Sequence, residues 1–432
     1  MYPAGLVSSV LIMKYDLDWL NSTGFFTIDL GLERVEQLLE RMGRPQDSLR
    51  FIHVAGSNGK GSVCSLTETA LRKVGFKTGF YSSPHLIKLN ERFRINGIPV
   101  DDETFIHSAE VIRKIVEQMR SEKIYPTYFE ITTAIALEIF RAEKVDYILW
   151  ETGLGGRLDA TNVITPVISV ITGISLEHTA YLGSTFAEVA GEKAGIIKPG
   201  VPVVCGPMPS EALFVMEQRA AELKSPLTKV AAYSGEYEID PEKHCQKLCL
   251  EGQPILLSLP GNYQRNNVST AFYTLKYLAE KFAFDFTKAL SGYSEARWSA
   301  RFQFIPEKNL LIDGAHNPEG MQALAAALKE FFPNRKFHFL AGCFADKNAD
   351  EVVAAFAPLA EKVSFIAFDG SGREICSPAE LGALLEKYAP GTPWEERSLE
   401  YCLDLLPGEQ MTVLCGSLHM CGEALELLGL PG

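Results

Sequence analysis

Residues 51–74, FIHVAGSNGKGSVCSLTETALRKV, indicate the fold of the first part of this chain. Residues 51–55 are largely apolar, as in a buried strand, and the apolar residues of 63–74 recur at helical spacing. Glycines in the loop between them let the backbone turn tightly, so that its N–H groups face an anion. The N-terminus of the following helix adds the positive end of its dipole. The stretch therefore predicts a phosphate-binding loop between a strand and a helix.

Lys60 supplies the full positive charge that the β- and γ-phosphates of a nucleotide would need. The loop departs from the common phosphate-loop pattern, because Val54 stands at the first glycine position and Gly61 separates Lys60 from the hydroxyl of Ser62. The alternative is a glycine turn that only closes a strand–helix unit. The predicted ATP contacts of this loop are Ser57, Asn58, Gly59, Lys60, Gly61 and Ser62.

Two further buried strands are predicted at 147–150 and 167–172. They are followed by the polar segments ETGLGGRLDATN and GISLEHTAYLG. Strands that alternate with helical patterns predict a parallel sheet with crossover helices. Ligands bind beyond the carboxyl ends of such strands, so we expect the phosphate loop and these two segments to meet at one crevice.

A second alternation of strands and helices begins after residue 300. Its strands are predicted at 309–313, 336–341, 363–368 and 411–415, and one of its helices begins at Ser377 with a capping-box acid at Glu380. Short peripheral strands are expected within 226–260. The predicted fold class is α/β, with an N-terminal P-loop NTPase-like parallel-sheet domain at 1–295 and a smaller C-terminal Rossmann-like α/β domain at 296–432.

Composition narrows the class of protein. The formal charge of −13 argues against a general nucleic-acid binder, which needs a basic face. No run approaches the roughly 18 to 20 apolar residues of a membrane span, and the start, MYPAGLVSSVLIMKYDLDW, has no basic region before its apolar run. The nine cysteines lack zinc-site spacing, which favours reduced thiols. We therefore expect a cytoplasmic protein that is neither secreted nor inserted in a membrane.

An ordered set of motifs spans most of the chain and resembles the Mur ligase superfamily, and within it the folylpolyglutamate/dihydrofolate synthases. The matching segments are GLERVEQLLERMGRPQ, HVAGSNGKGSV, YSSPHLIKLNERFRING, ETGLGGRLDATNVI, GISLEHTAYLGSTFAEVAGEKAGIIKPG, DGAHNPEG and CGSLHMCGE. The resemblance implies an ATP-dependent carboxylate–amine ligase that adds L-glutamate to dihydropteroate or folate through an acyl phosphate. It also implies two Mg²⁺ ions, and we expect the protein to be a monomer.

By this resemblance, the magnesium ligands are Ser83, Glu151, His178 and a carbamylated Lys193, and the catalytic residues are Lys60, Glu151, His178, Lys193 and His316. Taken alone, Glu151 could be a solvated carboxylate at a strand end, His178 a structural histidine and Lys193 an exposed helix lysine. Thr185 and Glu188 form a capping box for the helix that carries Lys193, and Gly195 is expected to end it. Position 177 is Glu where the family more often has Asp.

The remaining nucleotide contacts implied by the resemblance are Asn267, Arg301, Asp313 and His316, with Lys347 also facing the nucleotide. The sequence departs from the family at Tyr263, where His is usual, and at Ser299–Ala300, where Pro–Gly is usual. As an alternative, Asp313 and His316 could cap the helix that begins near Pro318.

The substrate side resembles the family at Ser83, Pro84, Arg92, Phe129, Asp159 and Ser417, with His419 beside the last of these. Phe129 could stack on a flat pterin or could simply pack in the core, and Arg92 could pair with a carboxylate. The segments TYFE and SSPHL look like versions that accept dihydropteroate, which favours a bifunctional enzyme.

Three other functions compete with this one. A cell-wall Mur ligase shares the phosphate loop but needs an additional N-terminal domain for its UDP-sugar, and here the loop lysine already stands at position 60. A P-loop small-molecule kinase would need neither an acyl acceptor nor an amine. A nucleotide-binding module without activity would leave the metal set without a purpose.

Overall fold

A computed structural model of the chain describes residues 17–21, 23, 29–368, 370 and 373–432. Residues 1–16, on which the expectation about a leader depends, lie outside the described part. The chain forms two compact units. Unit 1 contains the described residues up to Lys60 together with Gly75–Pro84 and Arg92–Thr228, and unit 2 contains Gly61–Val74, His85–Glu91 and Lys229–Gly432.

Unit 1 is built on an eight-stranded sheet. Its strands are β1 Phe51–Ala55, β2 Thr78–Tyr81, β3 Phe93–Ile95, β4 Ile98–Pro99, β5 Tyr147–Glu151, β6 Ile168–Ile171, β7 Val203–Cys205 and β8 Leu227–Lys229. Their order across the sheet is β4-β3-β2-β5-β1-β6-β7-β8. The five central strands, β2, β5, β1, β6 and β7, are parallel to one another. At one edge of the sheet, β3 pairs antiparallel with β2, and β4 pairs antiparallel with β3. The predicted parallel sheet is confirmed.

The helices of the first 228 residues belong to unit 1, except α3, which belongs to unit 2 from Gly61 onward. They are α1 Asp18–Asn21, α2 Glu33–Arg41, α3 Lys60–Lys73, α4 Asp102–Ser121, α5 Tyr128–Ala142, α6 Thr179–Leu182, α7 Phe186–Ala194 and α8 Ser210–Glu222. The predicted capping box at Thr185 and Glu188 is present, and Gly195 is the C-cap of α7. Local sequence therefore determines where this helix begins and ends.

Unit 2 contains two sheets. The strands β9 Tyr237–Asp240, β10 Cys245–Leu250 and β11 Gln253–Leu257 form an antiparallel three-stranded sheet, as expected for short peripheral strands. The larger sheet consists of β12 Gln303–Ile305, β13 Leu310–Ile312, β14 Phe337–Ala341, β15 Ala360–Ile366, β16 Trp394–Arg397 and β17 Thr412–Cys415. Its order is β12-β13-β17-β14-β15-β16, and only β12 runs antiparallel to its neighbour. The strand predicted at 363–368 begins three residues earlier, at Ala360, and ends at Ile366.

Helices pack on both faces of the larger sheet. The helices of this part of the chain are α9 Gln264–Phe282, α10 Phe286–Leu290, α11 Pro318–Phe331, α12 Ala349–Phe356, α13 Pro378–Tyr388, α14 Leu399–Asp404 and α15 Leu418–Leu427. Leu311 and Val413 point into the core shared with α11, α12 and α13, whereas Leu310 and Leu414 point into the core shared with α14 and α15. This alternation produces the predicted Rossmann-like α/β layers.

The segment 229–295 belongs to unit 2, and Ile239 and Tyr263 pack against the core of its larger sheet. The compact units therefore divide at 228–229 and not at the predicted boundary of 295–296, which stays a prediction about functional domains. In the part of the chain that the structure describes, no helix is both long enough and apolar enough to cross a membrane.

Candidate active site

Four neighbouring strands of unit 1 end at the same edge of its sheet. In the parallel register, Tyr81 of β2 lies beside Trp150 of β5, and Val54 of β1 lies beside Glu151. The strand β6 follows on the other side of β1. The predicted meeting of the three polar segments is therefore confirmed, and the loop after β2 joins them. The predicted site residues at these strand ends are Lys60, Ser83, Glu151 and His178.

The phosphate loop is tied to the loop that follows β6. The Ser57 hydroxyl donates to the carbonyl of Ser175 (3.0 Å) and accepts from its N–H (2.9 Å). The Thr172 hydroxyl donates to the carbonyl of Asn58 (2.6 Å). Gly56 has a φ of 154°, and a Cβ there would lie 1.9 Å from Oγ1 of Thr172, so this position requires glycine. These contacts fix the backbone that is predicted to face the phosphates.

The Lys60 ammonium lies over its own loop. It donates to the carbonyls of Gly56 (2.9 Å) and Ser57 (3.2 Å). Its charge is therefore held beside the N–H groups of the loop, where an anion would bind.

Ser62, which follows this loop in α3, is held by a residue that was not among the predicted contacts. The Gln264 side-chain amide donates to Oγ of Ser62 (3.2 Å), and Asn267 donates to Oε1 of Gln264 (2.8 Å). Asn267, a predicted ATP contact, thus orients the glutamine that orients Ser62. Gln264 and Asn267 both lie in the first turn of α9. Their separation of three residues in the motif QRNN could have predicted that the two side chains meet on one face of the helix.

The predicted magnesium ligands differ in burial. Glu151 is 5% exposed at the end of β5, so the alternative of a solvated carboxylate is wrong. Ser83 is half-buried, and His178 is exposed at the residue that precedes α6. Across the described ranges, no three His, Cys, Asp or Glu side chains lie close enough to hold a metal by themselves. The donor set nevertheless suits Mg²⁺, which prefers hard oxygen ligands and commonly completes its shell with water and substrate phosphates.

Lys193 is buried and paired. It is 1% exposed, so the alternative of an exposed helix lysine is wrong, and its Nζ lies 3.3 Å from Oε1 of Glu177. Burial is the main cause that lowers the pKa of Lys193 to about 8; the Glu177 carboxylate opposes this shift and the Lys60 ammonium adds to it. Burial alone would raise the pKa of Glu177, but the charges of Lys193, Lys60 and His178 lower it below its usual value.

Several residues predicted for the substrate side lie together around Tyr81. The Phe129 ring is 6.0 Å from the Tyr81 ring and covers Gly153, where a Cβ would lie 2.5 Å from it. Burial raises the pKa of Tyr81; Arg92 opposes the shift and Asp159 adds to it, which places both charges near the phenol. Phe129 therefore packs against the end of β2 while remaining half-buried.

Asp159 supports the loop that follows Glu151. It is 3% exposed and accepts hydrogen bonds from the N–H groups of Gly153 (3.0 Å) and Leu154 (2.7 Å). Burial raises the pKa of this carboxyl, and its hydrogen bonds oppose the shift. The structure gives Asp159 a loop-holding position in addition to its predicted contact with substrate.

In unit 2, Asp313 follows β13 and collects three donors. It accepts from the Tyr263 hydroxyl (3.0 Å) and from the N–H groups of Phe302 (2.7 Å) and Ala315 (2.8 Å). Burial raises the pKa of Asp313, with Arg301 as the main opposing charge. Tyr263, which stands where the family usually has histidine, supplies one of the three donors to this carboxylate.

The N-cap of helix α11 is Asn317, and not Asp313 or His316. Asn317 accepts from the N–H of Gly320 (2.7 Å), so the proposed capping by Asp313 and His316 is wrong. His316 instead bonds through Nδ1 to the carbonyl of Gly314 (2.8 Å). Ser417 is fully buried and caps α15 through the N–H of Met420 (3.4 Å).

Known proteins resemble this chain over most of its length. Residues 300–417 match the family described as Mur ligase, glutamate ligase domain. The dihydrofolate synthase/folylpolyglutamate synthase of Bacillus subtilis is 35% identical over 81% of this chain and 84% of its own length. The folylpolyglutamate synthase of Lacticaseibacillus casei is 33% identical over 91% of this chain and 94% of its own length.

Solved structures agree with these relatives. Mycobacterium tuberculosis folylpolyglutamate synthase complexed with ADP and AMPPCP has a TM-score of 0.84 and 27% identity, covering 99% of this chain and 100% of the other. Escherichia coli FolC in complex with DHPP and ADP has a TM-score of 0.81 and 27% identity, covering 96% of both chains. The fold and the family predicted from the motifs are thus confirmed, and this chain belongs to the folylpolyglutamate/dihydrofolate synthase family.

Proposed function

We propose that this chain is an ATP-dependent carboxylate–amine ligase that adds L-glutamate to dihydropteroate and to folylpolyglutamate through an acyl phosphate. The observation that carries the proposal is the meeting of a phosphate loop and the buried carboxylate of Glu151 at one edge of the unit 1 sheet. Membership of the family supports the reaction class.

The first chemical step transfers the terminal phosphoryl group of ATP to the acceptor carboxylate. Two anions must approach each other in this step, so catalysis depends on positioning and on fixed positive charge. Lys60 and the N–H groups of the loop 56–62 hold the phosphates. The amine of glutamate then attacks the acyl phosphate, inorganic phosphate leaves, and an amide forms.

Ser83, Glu151 and His178 would hold one Mg²⁺ ion beside the phosphates. When bound, the ion would supply positive charge that favours phosphoryl transfer. Glu151 suits this role because it is a buried carboxylate at a strand end beside the phosphate loop, and Mg²⁺ prefers hard oxygen ligands. The proposed remaining nucleotide contacts lie in unit 2 and are Asn267, Arg301, Asp313, His316 and Lys347.

We propose further that Lys193 carries a carbamate and helps to hold a second Mg²⁺ ion. With a pKa of about 8, about a quarter of the Lys193 amine is neutral at pH 7.5, compared with about one in a thousand for an ordinary lysine. Only the neutral amine can attack CO₂. The product is an anion next to Glu177, and two adjacent anions call for a cation between them.

The acceptor is proposed to lie along Ser83, Pro84, Arg92, Phe129 and Asp159, with glutamate near Ser417 and His419. The half-buried Phe129 ring offers a face to a pterin. Acceptance of both dihydropteroate and folate is supported by TYFE and SSPHL and by the double name of the Bacillus subtilis relative.

A purified sample tests the proposal when ADP and phosphate are followed with ATP, glutamate and either dihydropteroate or tetrahydrofolate. Both products should appear only when acceptor and glutamate are present together. AMP and pyrophosphate would exclude the acyl phosphate, and ATP turnover without glutamate would favour a kinase. Activity with only one acceptor would exclude the bifunctional assignment.

The two functional domains are proposed to be 1–295 and 296–432, which the start of the matched glutamate ligase domain at residue 300 supports. A cytoplasmic location is proposed from the composition, together with free thiols at all nine cysteines, every one of which lies in the described part. We also propose that the enzyme acts as a monomer.

A further inference from the structure

The indole of Trp298 lies directly over Gly61, the glycine that distinguishes this phosphate loop from the common pattern. A Cβ built on Gly61 would lie 2.5 Å from Nε1, 2.6 Å from Cε2 and 2.7 Å from Cζ2 of Trp298. Gly61 is the second residue of α3 and its φ is outside the left-handed region, so its backbone does not require glycine. The absent side chain at this position therefore makes room for the tryptophan.

The segment 297–302, which carries Trp298, has a second attachment to α3. The Ser65 hydroxyl donates to the carbonyl of Arg297 (2.8 Å). Ser65 lies one helical turn after Gly61, so the segment is held against the first two turns of α3.

The other end of the same segment is attached to the surroundings of Asp313. The N–H of Phe302 donates to Oδ2 of Asp313 (2.7 Å), and the N–H of Gly314 donates to the carbonyl of Ala300 (2.8 Å). Ala300 and Phe302 have φ values of 53° and 47°. Left-handed backbone conformations are unfavourable for residues other than glycine. The contacts at Asp313 therefore hold Ala300 and Phe302 in these conformations.

We propose that Trp298 is a positioning residue of the nucleotide site, which fixes the start of α3 relative to Arg301 and Asp313. The inference rests on the proposed function, because it assumes that these residues bind one nucleotide. The segment 297–302 is short and is attached both to α3 and to Asp313. A shift of Trp298 would therefore displace Arg301 in the segment and Ser62 in α3. Glycine is required at position 61 because the Trp298 ring occupies the space of a side chain there.

A double-mutant cycle between Gly61 and Trp298 tests this coupling, because two positions in contact should not behave additively. The variants are G61A, W298A and G61A/W298A, and the probe is the dissociation constant of MgADP. G61A should weaken binding about tenfold in the wild-type background and about threefold or less in the W298A background, where the clash is gone. An equal loss in both backgrounds would overturn the proposal, because the nucleotide itself would then require the glycine.

Steady-state kinetics separate a positioning role from a merely structural one. W298A should raise the KM for ATP about tenfold with a much smaller change in kcat, and W298F should recover part of that loss because a ring remains over Gly61. If W298A folds and binds MgADP with unchanged affinity, the positioning role of Trp298 is wrong, but the proposed ligase function is not affected. Failure of the wild-type protein to bind MgADP would instead refute the proposed function.

The chain contains a matched control pair. Gly382 in α13 packs under Trp394 of β16, and a Cβ at Gly382 would lie 2.3 Å from Cζ2 and 2.4 Å from Cε2 of that indole. Neither element carries a predicted nucleotide contact. G382A should lower the melting temperature but leave MgADP affinity unchanged; a loss of affinity equal to that of G61A would show that strain at any such pair is sufficient.

Discussion

The Nζ atom of Lys193 lies 3.3 Å from Oε1 of Glu177, and the two side chains are 2% and 13% exposed. A lysine in the interior normally loses its charge or gains a partner, and here burial and pairing act in opposite directions on its pKa. The amine is thus partly neutral near physiological pH.

The first prediction concerns carbamylation of Lys193. Because its pKa is about 8, the neutral amine increases as the pH rises from 7 to 9. At constant dissolved ¹³CO₂, the ¹³C NMR signal of a carbamate should therefore grow over this range. K193A should lose the signal and ligation while retaining MgADP binding.

A matched control for this prediction is Lys198, which is also buried enough for burial to lower its pKa. K198R should keep the carbamate signal, and K193R should lose it. A signal that survives in K193R would assign the modification to another amine, and full ligase activity in K193A would remove Lys193 from the mechanism.

The second prediction is a shift in the Lys193 pKa when Glu177 is neutralised. The carboxylate raises this pKa, so E177Q should lower the midpoint of amine modification below about 8. Reactivity with an amine-selective reagent, followed by mass spectrometry of the peptide 186–194, measures the midpoint without any activity assay. A midpoint that rises in E177Q would contradict the ion pair.

The third prediction concerns the contact between Ser57 and Ser175 that anchors the phosphate loop. S57A removes the hydroxyl that pairs with the partly buried N–H and carbonyl of Ser175, so the free energy of unfolding should fall by about 1 kcal/mol. MgADP affinity should fall as well. The exposed Ser121, which donates to the carbonyl of Gln118, provides the control, and S121A should change neither quantity. Equal effects of S57A and S121A would contradict the anchoring role.

The fourth prediction concerns Tyr263 and Asp313. Burial already raises the Asp313 pKa, and the Tyr263 hydroxyl opposes this rise, so Y263F should raise that pKa further. When the pKa of a carboxyl is higher in the folded than in the unfolded state, the free energy of unfolding of the protein falls as the pH rises through the folded-state pKa. The loss of unfolding free energy in Y263F, about 1–3 kcal/mol, should thus be larger at neutral pH than in acid.

Denaturant unfolding at several pH values measures this difference. Y125F, at a tyrosine that is 63% exposed, is the control and should unfold like the wild type. Y263H, which restores the residue usual in the family, should retain more stability than Y263F because an imidazole can still donate. A pH-independent loss in Y263F would show that Asp313 does not depend on this hydroxyl.

Much of the fold could be predicted because its signals are local. The capping boxes at Thr185 and Ser377 depend on residues three positions apart, and they begin helices where predicted. The apolar runs at 51–55 and 147–150 are strands for the same reason. The strand β2, which leads to Ser83, was not predicted, because TGFY begins with a threonine and a glycine and so lacks a continuous apolar run.

The α/β class, the phosphate loop with Lys60 and the family motifs could all be predicted from the sequence, because each depends on residues that are close along the chain. Tertiary packing alone places β2 beside β5, buries Lys193 against Glu177 and brings Trp298 over Gly61. These relationships join residues that packing brings together from distant parts of the chain. Burial and neighbouring charge, which set the pKa of a side chain, exist only once that packing has formed.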